Sequence, residues 1–286
     1  MIRARNRWRR FKNTVVLSAI YALTGLALVP LALVLWYTIA KGLPAASHLD
    51  FYLNVERPVG IPGAGVAHAI AGTAVMVGLA SLLAIPVGVV SGVHLVEYGA
   101  ARWASWVRLS SDVLVGAPSI AIGLFGYVLL VAPQHHFSGL AGALALSVLM
   151  LPVVVRTTES AVALIPSTLR ESGLALGLPR WRVALQLVLP AAAPGVITGA
   201  LLAMARAAGE TAPLLFTGFG NRFWNLDPSQ PMAALPLIVF HDALTPYPAL
   251  QEQAWGAALV LVALVLVINL ASRWVLRRQI RLAGQL

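Results

Sequence analysis

Residues 67–93 read AHAIAGTAVMVGLASLLAIPVGVVSGV, an unbroken run without a single charge. A bilayer's hydrocarbon core is about 30 Å thick and takes about 20 apolar residues to cross as a helix, so this run is long enough to span it. Four further uncharged runs of comparable length follow the same pattern: Val15 to Ala40, Val113 to Ala132, Phe137 to Val155 and Ala254 to Ser272. A sixth lies between Val183 and Thr217, interrupted by Arg206 and Glu210, with its span expected from about Gly195 to Thr217. In lipid every backbone polar group must be satisfied inside its own segment. The expected fold class is therefore all-α, a polytopic membrane protein with six transmembrane helices.

Composition agrees. Hydrophobic residues make up 59% of the 286 and charged residues only 10%, where soluble domains carry about 25% charged. Cysteine is absent, which excludes thiolate metal sites and disulfide frameworks. The first run is too long for the core of a cleaved signal and reads as a retained anchor. The expected organisation is a basic tail over 1–14, a first transmembrane helix over 15–40, and a core over 65–278 carrying a loop at 156–190.

Twenty Lys and Arg face only 10 Asp and Glu. In a soluble protein that excess suggests nucleic acid, but topology accounts for it here, and no nucleic-acid partner is expected. Arg3, Arg5, Arg7, Arg9, Arg10 and Lys12 precede the first run; Arg102 and Arg108 separate the second from the third. Arg156, Arg170, Arg180 and Arg182 separate the fourth from the fifth, and Arg273, Arg277, Arg278 and Arg281 follow the sixth. Sixteen cations thus share one side, against Lys41, Arg57 and Arg222 on the other. Cytoplasmic loops carry the excess of Lys and Arg, so both termini are expected in the cytoplasm.

Between the fourth and fifth runs, Pro166-Ser167 offers a helix start and Gly177 with Pro179 a stop and a turn. Trp181 sits among arginines, an amphipathic pattern suited to mounting another protein. The spacing from Glu171-Ser172-Gly173 to Gly177, and nine residues on to Leu187-x-Leu189-Pro190, resembles the EAA loop of ABC importer permeases. The resemblance implies that Glu171, Ser172, Gly173, Gly177, Leu189 and Pro190 belong to a coupling loop docking an ATPase. Where that family has Glu-Ala-Ala, this chain has Gly173, which weakens a helix by up to ~1 kcal/mol relative to Ala.

Arg206-Ala-Ala-Gly-Glu210 sets opposite charges one turn apart inside an apolar run. An arginine at mid-span costs ~2.5–3.5 kcal/mol on insertion scales and normally faces protein or a water-filled path. Its planar fork of donors matches oxyanion geometry. Glu210 would accept a hydrogen bond from the hydroxyl that phosphate keeps at neutral pH and that sulfate lacks. The run Arg206 to Thr217 (RAAGETAPLLFT) resembles the signature of PstA-type permeases of phosphate import, similarity extending over about 65–278. That resemblance implies a type I ABC importer (MetI-like) bundle with a substrate path at Arg206, Glu210 and Thr211. It also implies a PstC-type sister permease, a PstB-type ATPase dimer and a PstS-type phosphate-binding protein, with membrane lipid around them.

No nucleotide site can be built from this chain, since a P-loop needs Gly-Lys-Ser/Thr and neither Lys12 nor Lys41 follows a glycine. It is expected not to be an enzyme and to bind no cofactor, ATP and Mg residing on the partner. No catalytic or metal residues are expected; His135 and His136 read as solvated. Asp112 and Glu159 read as snorkelling charges at span ends, and Gly218 to Gln253 as a Pro-rich exterior stretch. A proton-coupled carrier using Glu210, a permease for molybdate or sulfate, and a structural anchor remain open alternatives on the residues alone.

Overall fold

The computed structural model describes residues 2–99 and 102–283. In chain order its helices are α1 (Ile2–Ala46), α2 (Asp50–Leu53), α3 (Ala67–Glu97), α4 (Arg102–Gly116), α5 (Ser119–Gly126), α6 (Ala132–Gln134), α7 (Gly139–Ala163), α8 (Ser167–Ala175), α9 (Arg180–Arg182), α10 (Leu189–Ala208), α11 (Ala212–Thr217), α12 (Leu235–Ala243) and α13 (Pro248–Ala283). Wide π-helical turns join α5 to α6 at Tyr127–Val131 and α9 to α10 at Val183–Val188. Among the described residues, five helices are long and apolar enough to span a membrane; α4 with the α5 segment makes a sixth if counted as one span bent by 103°. The expected all-α, multi-pass fold is present.

Lipid tails are as apolar as leucine, so helices in a membrane associate through close packing and small residues. The centre of the bundle is α7, the most deeply buried span, whereas no part of the apolar window of α1 is buried within this chain. A Cβ on Gly88 would come within 2.7 Å of Val154, so α3 and α7 approach each other at glycine. Gly72 is tighter still: a methyl there would meet the Ala233 carbonyl oxygen at 2.1 Å. That contact brings the loop before α12 down onto α3. Thr73 Oγ1 donates to the Ala69 carbonyl at 2.8 Å and accepts from Leu235 N at 2.9 Å, supplying an acceptor to the otherwise unpaired start of α12.

Four boundaries differ from expectation. α1 runs back through the basic segment to Ile2, with its apolar span from Phe11, because no Gly or Pro precedes Gly25 and Arg and Lys are good helix formers. The third run breaks at Ala117-Pro118, where the proline pushes its predecessor out of helical space. The loop expected over 156–190 shortens to 164–179, with α8 inside it, since α7 continues past Arg156 to Ala163 and the fifth spanning segment begins at Arg180. The fifth span is Arg180–Ala208, not Gly195–Thr217, and ends at Gly209. Pro190 does not stop it: the proline has no N–H for the ladder, and the wide turn at Val183–Val188 absorbs the mismatch.

The second half of the exterior stretch expected over Gly218 to Gln253 packs into the core, while its first half carries exposed side chains. Met232, Ala234, Leu235 and Leu237 are fully buried. Carbonyls of Gln230 and Pro228 accept the first N–H groups of α7, from Gly139 at 2.9 Å and Leu140 at 2.7 Å, and the Ser138 hydroxyl accepts from Ala141 N at 3.1 Å.

Candidate functional site

At the basic end of the bundle, α8 closes with a complete glycine-capped turn. Gly177 has φ +79°; its N–H donates to the Leu174 carbonyl at 2.9 Å and the Leu178 N–H to the Gly173 carbonyl at 3.2 Å. Only a residue without Cβ takes that φ at no steric cost. Glu171, Ser172 and Gly177 are exposed, while Gly173 is buried. A Cβ on Gly173 would lie 2.7 Å from Leu187 Cδ1 and 2.9 Å from Val183 Cγ2. The departure from Ala at this position therefore lets α8 lie flat on the π-helical turn. Leu189 is half-buried and Pro190 exposed at the start of α10, just past the π-helical turn that α8 packs against.

What fastens α8 to the bundle was not legible in the sequence. Arg170 Nε donates to Glu97 Oε1 at 2.8 Å, its Nη1 to the Ile165 carbonyl at 2.6 Å and its Nη2 to the Val162 carbonyl at 3.0 Å. One guanidinium thus ties α8 to the last residue of α3 and caps the carbonyl end of α7. Beside it, Arg108 Nε donates to Glu159 Oε1 at 2.5 Å and Nη2 to the Leu95 carbonyl at 3.0 Å; Arg156 bridges Glu159 at 2.9 Å and Asp112 through a paired contact. Asp112 and Glu159 are not lone snorkelling charges but members of this network linking α4 and α7. The partners of Arg170 and Glu97 lie 73 residues apart, so no local pattern announces them.

The charged pair is built differently. Arg206 lies in the last turn of α10, and Glu210 and Thr211 form the break before α11. Gly199 packs on Thr157 and Leu214 on Gly142. This antiparallel register brings Arg206 level with about Met150, near the middle of α7, although it ends its own helix rather than centring it. Arg206 Nε reaches Glu210 Oε1 at 3.4 Å, longer than the ~2.7–2.9 Å of a good charge-assisted hydrogen bond. The Arg206 side chain is 48% exposed and that of Glu210 17%. Thr211 is half-buried, and its carbonyl accepts from Leu215 N at 3.1 Å.

The opposite end carries a third charged group. Arg222 Nε lies 3.1 Å from Glu56 Oε1, and Asp242 on α12 is buried beside them at the wall of a cavity of about 310 Å³. Burial, reinforced by the charge of Glu56, pushes the Asp242 carboxyl up to about 7. Among the described residues no group of three His, Cys, Asp or Glu can hold a metal ion. His135 and His136 are exposed at the turn before α7.

With that geometry in place, comparisons identify the class. The profile of the family described as "Binding-protein-dependent transport system inner membrane component" matches residues 84–281, and the chain belongs to that family of transport permeases, which are not enzymes. Over 272 residues the chain is 41% identical to the phosphate transport system permease protein PstA of Yersinia pestis, covering 95% of this chain and 92% of that protein. It is 41% identical over 283 residues to PstA 1 of Mycobacterium tuberculosis strain H37Rv, covering 96% and 91%, and 44% identical over 242 residues to PstA of Xylella fastidiosa strain 9a5c, covering 84% of each. Within the broad class the chain is thus a PstA-type permease. In fold it resembles an inward-facing structure of the MetNI methionine ABC transporter, with TM-score 0.59 and 21% identity over 75% of this chain and 94% of that one.

Proposed function

We propose that this chain forms half of the translocation pathway of an ATP-driven phosphate importer in a bacterial inner membrane, with both termini in the cytoplasm. The observation that carries the reading is Arg206: a half-exposed guanidinium at the depth of the α7 midpoint, held by one long contact. A cation at mid-span serving only to join helices would have its donors filled, as Arg170 has. This one keeps most of its fork free for an oxyanion, and its PstA relatives are named for phosphate transport.

In this reading the face bearing Arg206, Glu210 and Thr211 meets a PstC-type sister permease across the pathway. A PstB-type ATPase dimer, carrying ATP and Mg, docks on the exposed Glu171–Gly177 surface with Leu189 and Pro190 backing it, and a PstS-type binding protein delivers phosphate on the other side. Closure of the ATPase pulls α8; through Arg170 the pull reaches the ends of α3 and α7 together, and the bundle rocks between outward- and inward-open states. Glu210 holds Arg206 while the path is empty and accepts a hydrogen bond from protonated phosphate when it is filled.

The test is reconstitution of the four-component assembly in proteoliposomes, following labelled phosphate uptake driven by ATP. Saturable uptake that stops with Arg206→Ala supports the reading. Preference for sulfate or molybdate sinks the substrate assignment, and uptake that collapses with the proton gradient while ATP is intact sinks the energy source.

A further inference from the structure

The cavity at the end opposite the docking loop lies away from Arg206, and its chemistry differs from that of an anion site. It is lined by Glu56 from the segment before α3, by Phe219, Asn221 and Arg222 from the loop before α12, and by His241 and Asp242 from α12 itself. Two carboxyl groups share about 310 Å³, and once both are ionised they repel phosphate. Yet Asp242, only 4% exposed, has an Oδ2 with no hydrogen-bond partner, and a buried acceptor left unpaired is costly. Arg222, the cation at hand, is engaged with Glu56 and is itself largely exposed. Asp242 Oδ2 therefore stands at the cavity wall without a donor, although Asn221, Arg222 and His241 line the same space.

Its rim says where that donor comes from. Phe219 and Phe223 line the cavity and stand exposed, as do Trp224 and Leu226 further along the same loop, outside the spanning helices. Aromatic and apolar side chains around a charged recess are the anatomy of a protein interface, where an anchoring side chain enters a pocket that its rim keeps dry. We infer that this cavity receives the guanidinium or ammonium group of a basic side chain from a protein docking on this face, with Asp242 and Glu56 as its acceptors. The proposal rests on the importer reading, which supplies such a partner in the binding protein.

The experiment measures binding of the phosphate-loaded binding protein to the assembled transporter in nanodiscs at pH 8. Asp242→Asn keeps the shape and removes the charge; it and Glu56→Gln are expected to weaken docking about tenfold each, in line with loss of a charge-assisted contact. Millimolar N-acetyl-arginine amide is expected to compete for docking on the wild type and not on Asp242→Asn. Docking within twofold of wild type by both variants, on complexes whose melting temperature is unchanged, overturns the inference. A variant effect that vanishes in nanodiscs lacking phosphatidylethanolamine also overturns it, assigning the pocket to a lipid ammonium. Failure of the wild-type complex to dock the binding protein removes the importer reading as well, whereas intact docking that ignores Asp242 and Glu56 removes the cavity's role alone.

Discussion

Arg170 and Arg206 are the same side chain under opposite treatment. Arg170 spends three of its donors on contacts of 2.6 to 3.0 Å that join α8 to α3 and α7. Arg206 makes one contact of 3.4 Å within its own chain and leaves nearly half its surface open. Desolvating a guanidinium is worthwhile for a fold only when its fork is filled. The first arginine is a finished joint between elements, and the second keeps most of its donors unfilled within the described residues. The proposed function assigns those donors to an oxyanion, and the contrast with Arg170 makes that assignment testable.

The sharpest break would come from Arg206→Ala. Removing one long contact on a half-exposed side chain should leave the melting temperature within about 1–2 °C, whereas ATP-driven phosphate uptake should fall at least about 100-fold, equivalent to roughly 2.7 kcal/mol of lost stabilisation. Arg206→Lys keeps the charge but not the planar fork and should recover less than about a tenth. A large loss of thermal stability in either variant would show that Arg206 is a structural joint after all.

Arg170→Ala inverts that pattern. It uncaps the carbonyls of Val162 and Ile165 and leaves Glu97, only 13% exposed on its side chain, without its partner; a cost of about 2–3 kcal/mol follows from losing charge-assisted bonds to partly buried acceptors. The assembly should still hydrolyse ATP, but phosphate moved per ATP should drop about tenfold, since α8 is no longer fixed to α3. Uptake and hydrolysis measured on the same proteoliposomes decide it, and proportional losses of both would break the comparison.

Glu210→Gln tests the pair at finer resolution. The amide keeps the shape and can still accept a hydrogen bond, but no longer competes as a charge for Arg206. Phosphate uptake should persist within about threefold to tenfold, while the preference over sulfate narrows, because the site no longer penalises an oxyanion that has no proton to donate. Unchanged discrimination between the two ions would remove Glu210 from the selectivity role and leave it a resting partner of Arg206.

The fold was legible in the sequence because a bilayer imposes its thickness on every span, and runs such as 67–93 meet it without ambiguity. The boundaries were less so. The fifth span read as starting near Gly195 and starts at Arg180, since a π-helical turn carries the helix through Pro190; Arg156 looked like the end of a span and is not, since Asp112 and Glu159 neutralise it. The docking loop could be read because its glycine turn is local: Gly177 and its neighbours carry their own hydrogen bonds. Arg206 and Glu210 could be read because they are one helical turn apart. The clamp at Arg170 and the cavity at Asp242 could not, because each depends on partners brought together only by the packed bundle.

Asp242 extends the comparison to a third charged group and gives it a pH signature. Its carboxyl, normally titrating near 3.8, is raised to about 7 by burial first and by Glu56 second, with Arg222 opposing. An acid raised in the folded state holds a proton there that the unfolded chain has released, so between about pH 4 and 7 the native form binds more protons. Stability must then fall as pH rises through that window and level off above about 7. Amide exchange in α12, corrected for intrinsic rates, should therefore be slower at pH 5.5 than at pH 7.5, and Asp242→Asn should flatten the difference. The filled arginines at the other end offer no such lever, and a wild-type α12 whose protection ignores pH would place Asp242 among the finished joints with Arg170.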